Sequence, residues 1–426
     1  NITLTKTLQT NPDKTIASLK DTYKDVFPIV GVGAGIASIL GKNGSEFISQ
    51  QYNAVTPGNE MKPDAILGST IGKLVKPTDE VSADKTDFIT VEDAKSMGYI
   101  IPDNYTSYDD NRFKSATGEY AVPRLNFDNV DKLMKAAHEN GVKLRGHTLV
   151  WHQQTPKYFF QQNYKITTGQ KYNTSKECMD TRLEFYVKTV MNHVLSSEYA
   201  DCLYSYDVVN EYLHSANAEK DSKNITYWGL IYGTYDKSVK DHGVTLRPSY
   251  VKDAFKYAHE MLVKYDRLDV KLIYNDYNCY QNPENIIHLV DYINSDGKVC
   301  DGIGMQSHLD ITDSFHSATN YAKALEYFRL NCPDLEIQIT ELDATMVSTE
   351  DKPLTDEDQA AYYDQIMNAI LTNKKNGGNI TALIIWSLYD GVSWRASSVP
   401  CLFNGLYSPK SAFFAVANAK DAYKSK

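Results

Sequence analysis

Tyr206-Asp207-Val208-Val209-Asn210-Glu211 decides how this chain is interpreted, because a β-branched apolar run stops there at a carboxylate. A second run of the same kind, later in the chain, is Ile337-Gln338-Ile339-Thr340-Glu341-Leu342-Asp343. Short apolar runs of this composition are typical of buried parallel strands. A carboxylate is costly to bury at the end of such a strand unless it is used, so both glutamates are candidates for chemistry.

Eight short apolar or β-branched runs alternate with helix-length amphipathic segments along the chain. This alternation predicts βαβ units and a parallel sheet, which places the fold in the α/β class. Eight strands favour closure into a (β/α)8 TIM barrel, with insertions after strands 2 and 4. The predicted strands are residues 27–32, 52–56, 142–151, 203–210, 270–276, 302–308, 335–341 and 380–388. The predicted helices include residues 127–140, 178–195, 249–262, 282–294, 318–330 and 356–373.

An open doubly wound sheet is the alternative to the barrel, and it would hold a dinucleotide at a glycine-rich turn after its first strand. Gly31-Val32-Gly33-Ala34-Gly35 offers such a turn only superficially. The third glycine is not at the required spacing, and no well-placed acidic residue follows. The barrel is therefore preferred, and no cofactor is expected.

Residues 1–426 are interpreted as a single catalytic barrel with two segments that interrupt the alternation. Residues 67–123 are rich in Lys, Asp, Ser and Thr and form an expected insertion after strand 2. Residues 213–246 follow Glu211 directly and form an expected insertion after strand 4, near the active face. Both are interpreted either as surface elaboration or, for the second in particular, as an added wall for the substrate.

The composition excludes several classes of partner. A net charge of −10 and a pI near 5.5 argue against nucleic acid, which is a polyanion. No apolar run approaches the roughly 18 residues that a membrane span requires. The 31 tyrosines suit a protein that stacks aromatic rings on sugars.

The six cysteines form no CxxC pair, so a zinc ribbon is not expected, and their even number permits disulfides without requiring them. Because the chain begins at Asn1 without Met, we expect that a signal peptide has been removed. The expected location is secreted, at the cell surface or periplasmic, and the expected state is a monomer.

A barrel carries its active site at the carboxyl ends of its strands, and the predicted strand ends are all polar or aromatic. Any one of these residues could be a structural polar group, but the agreement among eight strand ends indicates a substrate site. The strand-end residues taken as site candidates are Asn59, Lys62, His147, Trp151, Asn210, Glu211, Tyr277, Gln306, His308, Glu341, Asp343, Trp386 and Trp394. The same ends also carry His152, Asn275, Asp276, Asn278, Ser307, Ser393 and Arg395.

Other hydrolytic mechanisms fit this chain less well. It has no GxSxG elbow, no HExxH motif and no P-loop. His147 and His152 are predicted to point to opposite faces of one strand, so they would not chelate a metal together, and no metal is expected. Paired carboxylates, the equipment for cleaving a glycosidic bond, are what remains.

The strand-end motifs resemble those of glycoside hydrolase family 10, the retaining endo-β-1,4-xylanases. The matching segments run from Thr56-Pro57-Gly58-Asn59-Glu60-Met61-Lys62 to Pro409-Lys410-Ser411-Ala412-Phe413. Between them, His-Thr-Leu-Val-Trp-His, Asp-Val-Val-Asn-Glu and Thr-Glu-Leu-Asp follow in the expected order. The resemblance implies a (β/α)8 barrel that hydrolyses internal linkages of xylan or xylo-oligosaccharides.

By the same resemblance, Glu211 is the general acid and base and Glu341 is the nucleophile. Asn210 would bond the sugar 2-OH, and His308, supported by Asp343, would hold the nucleophile ionised. The residues expected to bind substrate are Asn59, Lys62, His147, Trp151, Gln306, Tyr277, Trp386 and Trp394. An endoglucanase or mannanase, and a sugar-binding protein without activity, are the alternatives.

Three positions depart from the family pattern. Gly58 stands where Glu is usual, and Glu60 is expected to share the face of Gly58 if the strand continues. Tyr206 replaces a usual Trp, and Ser387 replaces a usual Gly. By the resemblance, Gly58 removes a direct contact to a sugar hydroxyl and is expected to alter substrate preference, whereas the changes at Tyr206 and Ser387 remove no catalytic group.

Overall fold

The computed structural model describes residues 12–68, 88–115, 118–120, 122–164, 170–215 and 226–424. Eight parallel strands form a closed barrel, and each pairs in parallel with its neighbours in chain order. Closure is made by β8 pairing with β1. The strands are β1 (Ile29–Ala34), β2 (Ala54–Pro57), β3 (Lys143–Trp151), β4 (Leu203–Asn210), β5 (Lys271–Asp276), β6 (Gly302–Met305), β7 (Glu336–Thr345) and β8 (Ile380–Trp386).

Helices surround the barrel and bury their apolar faces against it. The predicted TIM barrel is therefore confirmed, and each predicted helix is present with small shifts at its ends. The helices are Leu19–Tyr23, Ile36–Leu40, Lys42–Gln51, Pro63–Leu67, Val91–Ser96, Asp128–Glu139, Lys176–Ser196, Tyr227–Tyr232, Ser249–Lys264, Pro283–Ile293, Ala318–Asn331, Asp356–Lys375 and Ser411–Lys424.

Two strands differ from their predicted bounds in a way that shapes the site. β6 ends at Met305, and after Ser307, with φ of 65°, a separate strand His308–Asp310 pairs with the end of β7. β7 continues to Thr345, so Glu341 lies within the strand and not at its end. The pairing of β7 with β8 shifts register between Ile339 and Leu342, and Glu341 lies within this irregular stretch.

Close approaches inside the barrel depend on glycines. A Cβ on Gly33 would lie 2.2 Å from the Trp386 ring, so only glycine lets this indole lie across β1. Gly146 plays the same part for Tyr206, whose ring atoms would be 2.4 Å from an added Cβ. Tyr206, which differs from the family pattern, is therefore a fully buried residue whose ring packs on the neighbouring strand β3.

The described parts of residues 67–123 pack against the long helix Lys176–Ser196. Phe88–Ile89 pairs with Val122–Pro123, and the buried Arg182 side chain donates to Asn111 Oδ1 at 2.7 Å. The remainder of this predicted insertion, residues 69–87, 116–117 and 121, lies outside the described residues.

Within the second predicted insertion, residues 216–225 lie outside the described residues. The helix Tyr227–Tyr232 that follows brings Trp228 behind the cleft wall. Its indole Nε1 donates to the Trp151 carbonyl at 3.2 Å and its ring stacks on Tyr250 at 4.7 Å. This part of the segment therefore supports Trp151 from behind.

All six cysteines are unpaired, and all but the half-buried Cys332 are buried. Within the described residues, no helix combines the length and the apolar character that crossing a bilayer would require.

Candidate active site

A cleft of about 620 Å³ opens at the carboxyl ends of the barrel strands. Every site residue predicted from the sequence lines it except Asp343, which lies behind His308. The cleft also contains side chains that the sequence did not single out, among them Ser38, Gln153, Gln154, Leu388 and Val392. No three His, Cys, Asp or Glu side chains of the described residues are grouped so as to hold a metal ion.

Glu211 occupies the first position after β4, in the left-handed region with φ of 58°. Its backbone N–H donates to the Asn275 carbonyl at 2.8 Å, which ties this turn to β5. Trp151 Nε1 donates to one carboxyl oxygen and Gln306 Nε2 to the other, each at 2.8 Å. Both oxygens therefore point into the cleft in a fixed orientation.

Burial is the main reason that the pKa of Glu211 lies above its ordinary value. The negative charges of Asp276 and Glu341 add to this, while the bonds from Gln306 and Trp151 oppose it. A carboxyl group in this position holds its proton to a higher pH than a solvated one.

Glu341 lies on the opposite side of the cleft, within β7, and is 5% exposed. His308 Nε2 contacts one carboxyl oxygen at 3.0 Å, and Asn275 Nδ2 donates to the other at 2.9 Å. Burial alone would raise the pKa of Glu341, but these bonds and the charges of His147 and His308 lower it to about 2. Glu341 is thus an anion over the whole working range of an enzyme.

His308 is held between two carboxylates. Nδ1 lies 2.9 Å from Asp343 Oδ1, which also accepts a bond from Arg395 Nη1 at 2.8 Å. Burial would lower the pKa of His308, yet Asp343 and then Glu341 raise it to about 10. The imidazole is therefore a cation that faces Glu341, and Arg395 keeps Asp343 in place behind it.

A chain of amides joins the two glutamates. Gln306 Nε2 donates to Glu211 and, at 3.2 Å, to Asn210 Oδ1, which also accepts from Asn275 Nδ2 at 2.9 Å. Asn275 Nδ2 then reaches Glu341. With its oxygen engaged twice, Asn210 presents its amide NH2 to the cleft.

Asn275 stands at a predicted strand end, but the sequence reasoning assigned it no role. Its Oδ1 accepts from Thr340 Oγ1 at 2.7 Å and occupies the space beside Gly304, where a Cβ would lie 2.3 Å away. The signal that could have found it is the polar pair Asn275-Asp276 closing an otherwise apolar strand.

One end of the cleft is polar. Lys62 Nζ donates to Asn59 Oδ1 and to Gln154 Oε1, both at 3.1 Å, and lies 4.9 Å from the centre of the Trp151 ring. Burial lowers the pKa of Lys62, and the charges of Glu341 and Glu211 oppose that shift.

Aromatic rings form the other walls. Trp386 is 9% exposed and Trp394 is 69% exposed, so the first is a fixed wall and the second an open edge. The His308 ring lies 6.1 Å from the Trp386 ring and 5.3 Å from the Trp394 ring. His147, whose Nδ1 contacts Asp207 Oδ2 at 2.8 Å, meets Trp386 edge-on.

The departure at Gly58 leaves open space in the cleft wall. An added Cβ there would meet only the Ala34 carbonyl oxygen, at 3.9 Å. The expectation that Glu60 shares this face is wrong, because β2 ends at Pro57 and the chain turns. Glu60 instead accepts from the backbone N–H groups of Ile36 at 3.0 Å and Asn59 at 3.1 Å.

Ser387 lines the cleft with φ of 78°, a left-handed conformation that costs a serine more than a glycine. His147 and His152 do not lie on one strand, so the expectation that they point to its opposite faces does not apply. His147 is buried inside the barrel, whereas His152 follows the end of β3 and its Nδ1 is buried with no bonding partner.

Comparisons with known proteins agree with this geometry. The model of glycosyl hydrolase family 10 matches residues 18–419. Endo-1,4-beta-xylanase A of Butyrivibrio fibrisolvens is 40% identical over 373 residues, which are 87% of this chain and 77% of the relative. The bifunctional endo-1,4-beta-xylanase XylA of Ruminococcus flavefaciens is 30% identical over 93% of this chain, which spans only 33% of that longer protein.

Two solved structures share the fold. The CBM22-1-GH10 modules of Clostridium thermocellum xylanase 10B, complexed with xylohexaose, match with a TM-score of 0.69 and 27% identity, over 94% of this chain and 67% of that one. An intracellular xylanase of Thermoanaerobacterium saccharolyticum, in a complex with xylotetraose, matches with a TM-score of 0.67 and 25% identity, over 95% and 99% of the two chains. With a family model that covers nearly all of it and a barrel that carries the paired carboxylates, this chain belongs to glycosyl hydrolase family 10.

Proposed function

We propose that this protein is a retaining endo-β-1,4-xylanase in which Glu211 is the general acid and base and Glu341 is the nucleophile. One observation carries the proposal: two buried carboxyl groups of one cleft have pKa values displaced in opposite directions, upward at Glu211 and down to about 2 at Glu341. Double displacement needs this division, a proton donor beside an anion at the same pH.

The first step forms a bond between Glu341 and the anomeric carbon while Glu211 gives its proton to the departing glycosidic oxygen. His308, as a cation, keeps Glu341 ionised until the attack. Retention requires carboxyl groups about 5–5.5 Å apart. Gln306, Asn210 and Asn275 hold Glu211 and Glu341 in one hydrogen-bonded network. The amide NH2 of Asn210 is available to the sugar 2-OH.

In the second step the direction of proton transfer is reversed, and Glu211 acts as a base. Once Glu341 is esterified its negative charge is lost, and that charge is one of the causes that raise the pKa of Glu211. Glu211 can then ionise and take a proton from water, which attacks the anomeric carbon from the side that the leaving group vacated. The product keeps the β configuration.

Xylan is proposed as the substrate because curated relatives are endo-xylanases and two solved neighbours hold xylo-oligosaccharides. The indoles of Trp386 and Trp394 are proposed to exclude the hydroxymethyl group of a hexose by their bulk. Release of reducing ends from xylan, carboxymethylcellulose and mannan tests this choice. Preferential hydrolysis of carboxymethylcellulose or mannan would contradict it.

The roles of the two glutamates predict different variant kinetics. Glu341→Ala should abolish turnover of every substrate, by roughly four orders of magnitude or more. Glu211→Ala should lose xylan hydrolysis but keep the first step on an aryl xyloside, because a good leaving group needs little protonation. Burst kinetics on the aryl substrate, and proton NMR of the first-formed anomer, measure both. Equal loss of the aryl substrate in the two variants would refute the assignment.

We also propose that the enzyme acts as a monomer outside the cytoplasm, where polymeric xylan is found. Since one solved neighbour is described as intracellular, location needs its own test. Fractionation of the source cells followed by a xylanase assay, with sedimentation of the purified protein, would give both answers. Activity confined to the cytosol, or a stable dimer, would contradict these two points.

A further inference from the structure

His214 lies three residues after Glu211 and is not part of the mechanism derived so far. Its Nδ1 contacts Asp276 Oδ1 at 2.7 Å, and its ring stacks on Tyr277 at 3.9 Å. Its backbone N–H donates to the Glu211 carbonyl at 3.2 Å. His214 is therefore tied at once to the turn of Glu211 and to the end of β5.

Asp276 is fully buried, and its carboxylate is saturated with donors. It accepts from His214 Nδ1, from the Tyr277 backbone N–H at 2.9 Å and from the Tyr274 hydroxyl. Tyr274 Oη in turn accepts the Leu213 N–H at 3.1 Å. Two residues of the turn after Glu211 are thus held by one carboxylate.

The backbone of Asp276 also reaches the acid and base from the other side. Its carbonyl accepts the Gln306 N–H at 2.9 Å, and Gln306 is the residue whose side chain bonds Glu211. The Cys279 thiol contacts the same carbonyl at 3.2 Å. The preceding residue, Asn275, holds the Glu211 N–H.

We propose that the Asp276–His214 ion pair is a positioning element that fixes the turn of Glu211 and sets how tightly Glu211 holds its proton. This inference rests on the proposed role of Glu211 as general acid. The pair places one negative and one positive charge close enough to Glu211 to interact with its carboxyl group. The negative charge of Asp276 favours protonation of Glu211, and the positive charge of His214 opposes it.

The charge states around the pair follow from burial and neighbours. Burial would lower the pKa of His214, but Asp276 and then Glu211 raise it, which favours the protonated ring. Burial lowers the pKa of His152 to about 4 and also lowers that of His242, which leaves both rings neutral. The ionisable groups of neighbouring segments that face the pair or Glu211 are His152, His242, Tyr274, Tyr277, Cys279, Glu341 and Lys62.

The test is the alkaline limb of kcat/KM against pH, which reports the general acid of the free enzyme. His214→Asn keeps a donor near the position of Nδ1 but removes the charge, and should move this limb to higher pH by about one pH unit. Asp276→Asn removes the negative charge and should move it to lower pH. A purely structural role would lower activity without opposite shifts of the limb.

His242→Asn is the matched control, because it replaces a neutral ring that meets His214 edge-on at 5.1 Å. Its limb should stay in place. If Asp276→Asn does not fold, as judged by circular dichroism, the comparison of His214→Asn with His242→Asn decides the matter alone. An unmoved limb in His214→Asn, or shifts of the same sign in both charge variants, would overturn the proposal.

Failure of the pair can be separated from failure of the proposed function. Glu211→Ala on an aryl xyloside should lack the alkaline limb altogether. If Glu211→Ala retains it, Glu211 is not the general acid and the proposed function falls. If that limb disappears while His214→Asn and Asp276→Asn leave it unmoved, only the role of the pair falls.

Discussion

His308 is the residue on which the ionisation of Glu341 depends. It bonds Asp343 through Nδ1 and Glu341 through Nε2, so a variant can keep one bond and lose the other. The amide nitrogen of an asparagine lies near the position of Nδ1 and cannot reach that of Nε2.

His308→Asn should therefore raise the pKa of Glu341 from about 2 toward its ordinary value. The acidic limb of kcat/KM should move to higher pH by about one pH unit or more. His138, an exposed histidine whose Nδ1 contacts Asp201 at 2.9 Å, gives the control His138→Asn, with no shift expected. Steady-state rates between pH 3 and 7 on soluble xylan measure both variants; coincident profiles would contradict the role given to His308.

At this scale the sequence predicts which residue types face the cleft, since strand ends meet at one rim of a barrel. It does not predict Gln154, and it places Asn275 at the rim without predicting its role, which arises from contacts across strands. Asn275 reaches both Asn210 and Glu341 only because Gly304 has no side chain. The error at Glu60 has a similar cause, because alternation applies only while a strand continues.

Among the elements, the helix Asp356–Lys375 begins with a complete capping box. The Thr355 side chain accepts from the Asp358 N–H, and the Asp358 carboxylate accepts from the Thr355 N–H at 2.8 Å. Acidic residues in this first turn also match the positive end of the helix dipole.

Thr355→Ala should lower the free energy of unfolding by about 1 kcal/mol, because helix N–H groups lose their acceptor. The exposed Thr372, in the last turns of the same helix, gives the control Thr372→Ala, for which a change of a few tenths of a kcal/mol or less is expected. Urea unfolding compares the two variants with the parent protein. Equal stability of all three would show that the cap contributes nothing.

The bounds of β6 and β7 show what limits prediction of elements. The polar residues Glu341 and Asp343 suggested a strand end, yet both side chains are paired inside the barrel and the strand continues past them. The break after Met305 depends on Ser307 at positive φ, whose hydroxyl bonds Tyr321 at 2.7 Å. The partners of these side chains, His308 for the two carboxylates and Tyr321 for Ser307, are not adjacent to them in sequence.

For the whole molecule, the buried ion pair of the cleft couples stability to pH. Glu341 has an unfolded pKa of 4.5 and a folded pKa of about 2, so its contribution is present above 4.5 and is lost as the pH falls toward 2. His308 rises from 6.5 to about 10, so its contribution is present below 6.5 and is lost as the pH rises toward 10.

Stability against urea should therefore be greatest between about pH 4.5 and 6.5 and fall on both sides. The raised pKa of Glu211 also makes stability fall as the pH rises, and this loss begins at its unfolded pKa of 4.5. Glu341→Gln should weaken the dependence on the acidic side, because the titrating group is gone. Urea midpoints measured from pH 3 to 10 provide the check; stability that rises steadily to pH 9 would contradict the linkage.

The barrel fold was easier to predict than its individual residues or elements. The alternation of strands and helices is repeated eight times along the chain, so an error in the bounds of one element does not change the predicted fold. Closure is less visible in a sequence, since β1 pairs with β8 across nearly the full length of the chain. In the sequence, closure is indicated only by the number of strands and by the polar residues at the end of each strand. The two predicted insertions show the limit, because they follow no periodic pattern.

The chain has four tryptophans, and every one of them belongs to the cleft or to its wall. Trp151, Trp386 and Trp394 line the cleft, and Trp228 bonds the backbone of Trp151 from behind. The tryptophan fluorescence of the protein therefore reports on the cleft. Emission excited at the red edge of the aromatic band comes from the active site, without background from the rest of the barrel, so an unlabelled sugar entering the cleft can be followed by its colour and intensity alone.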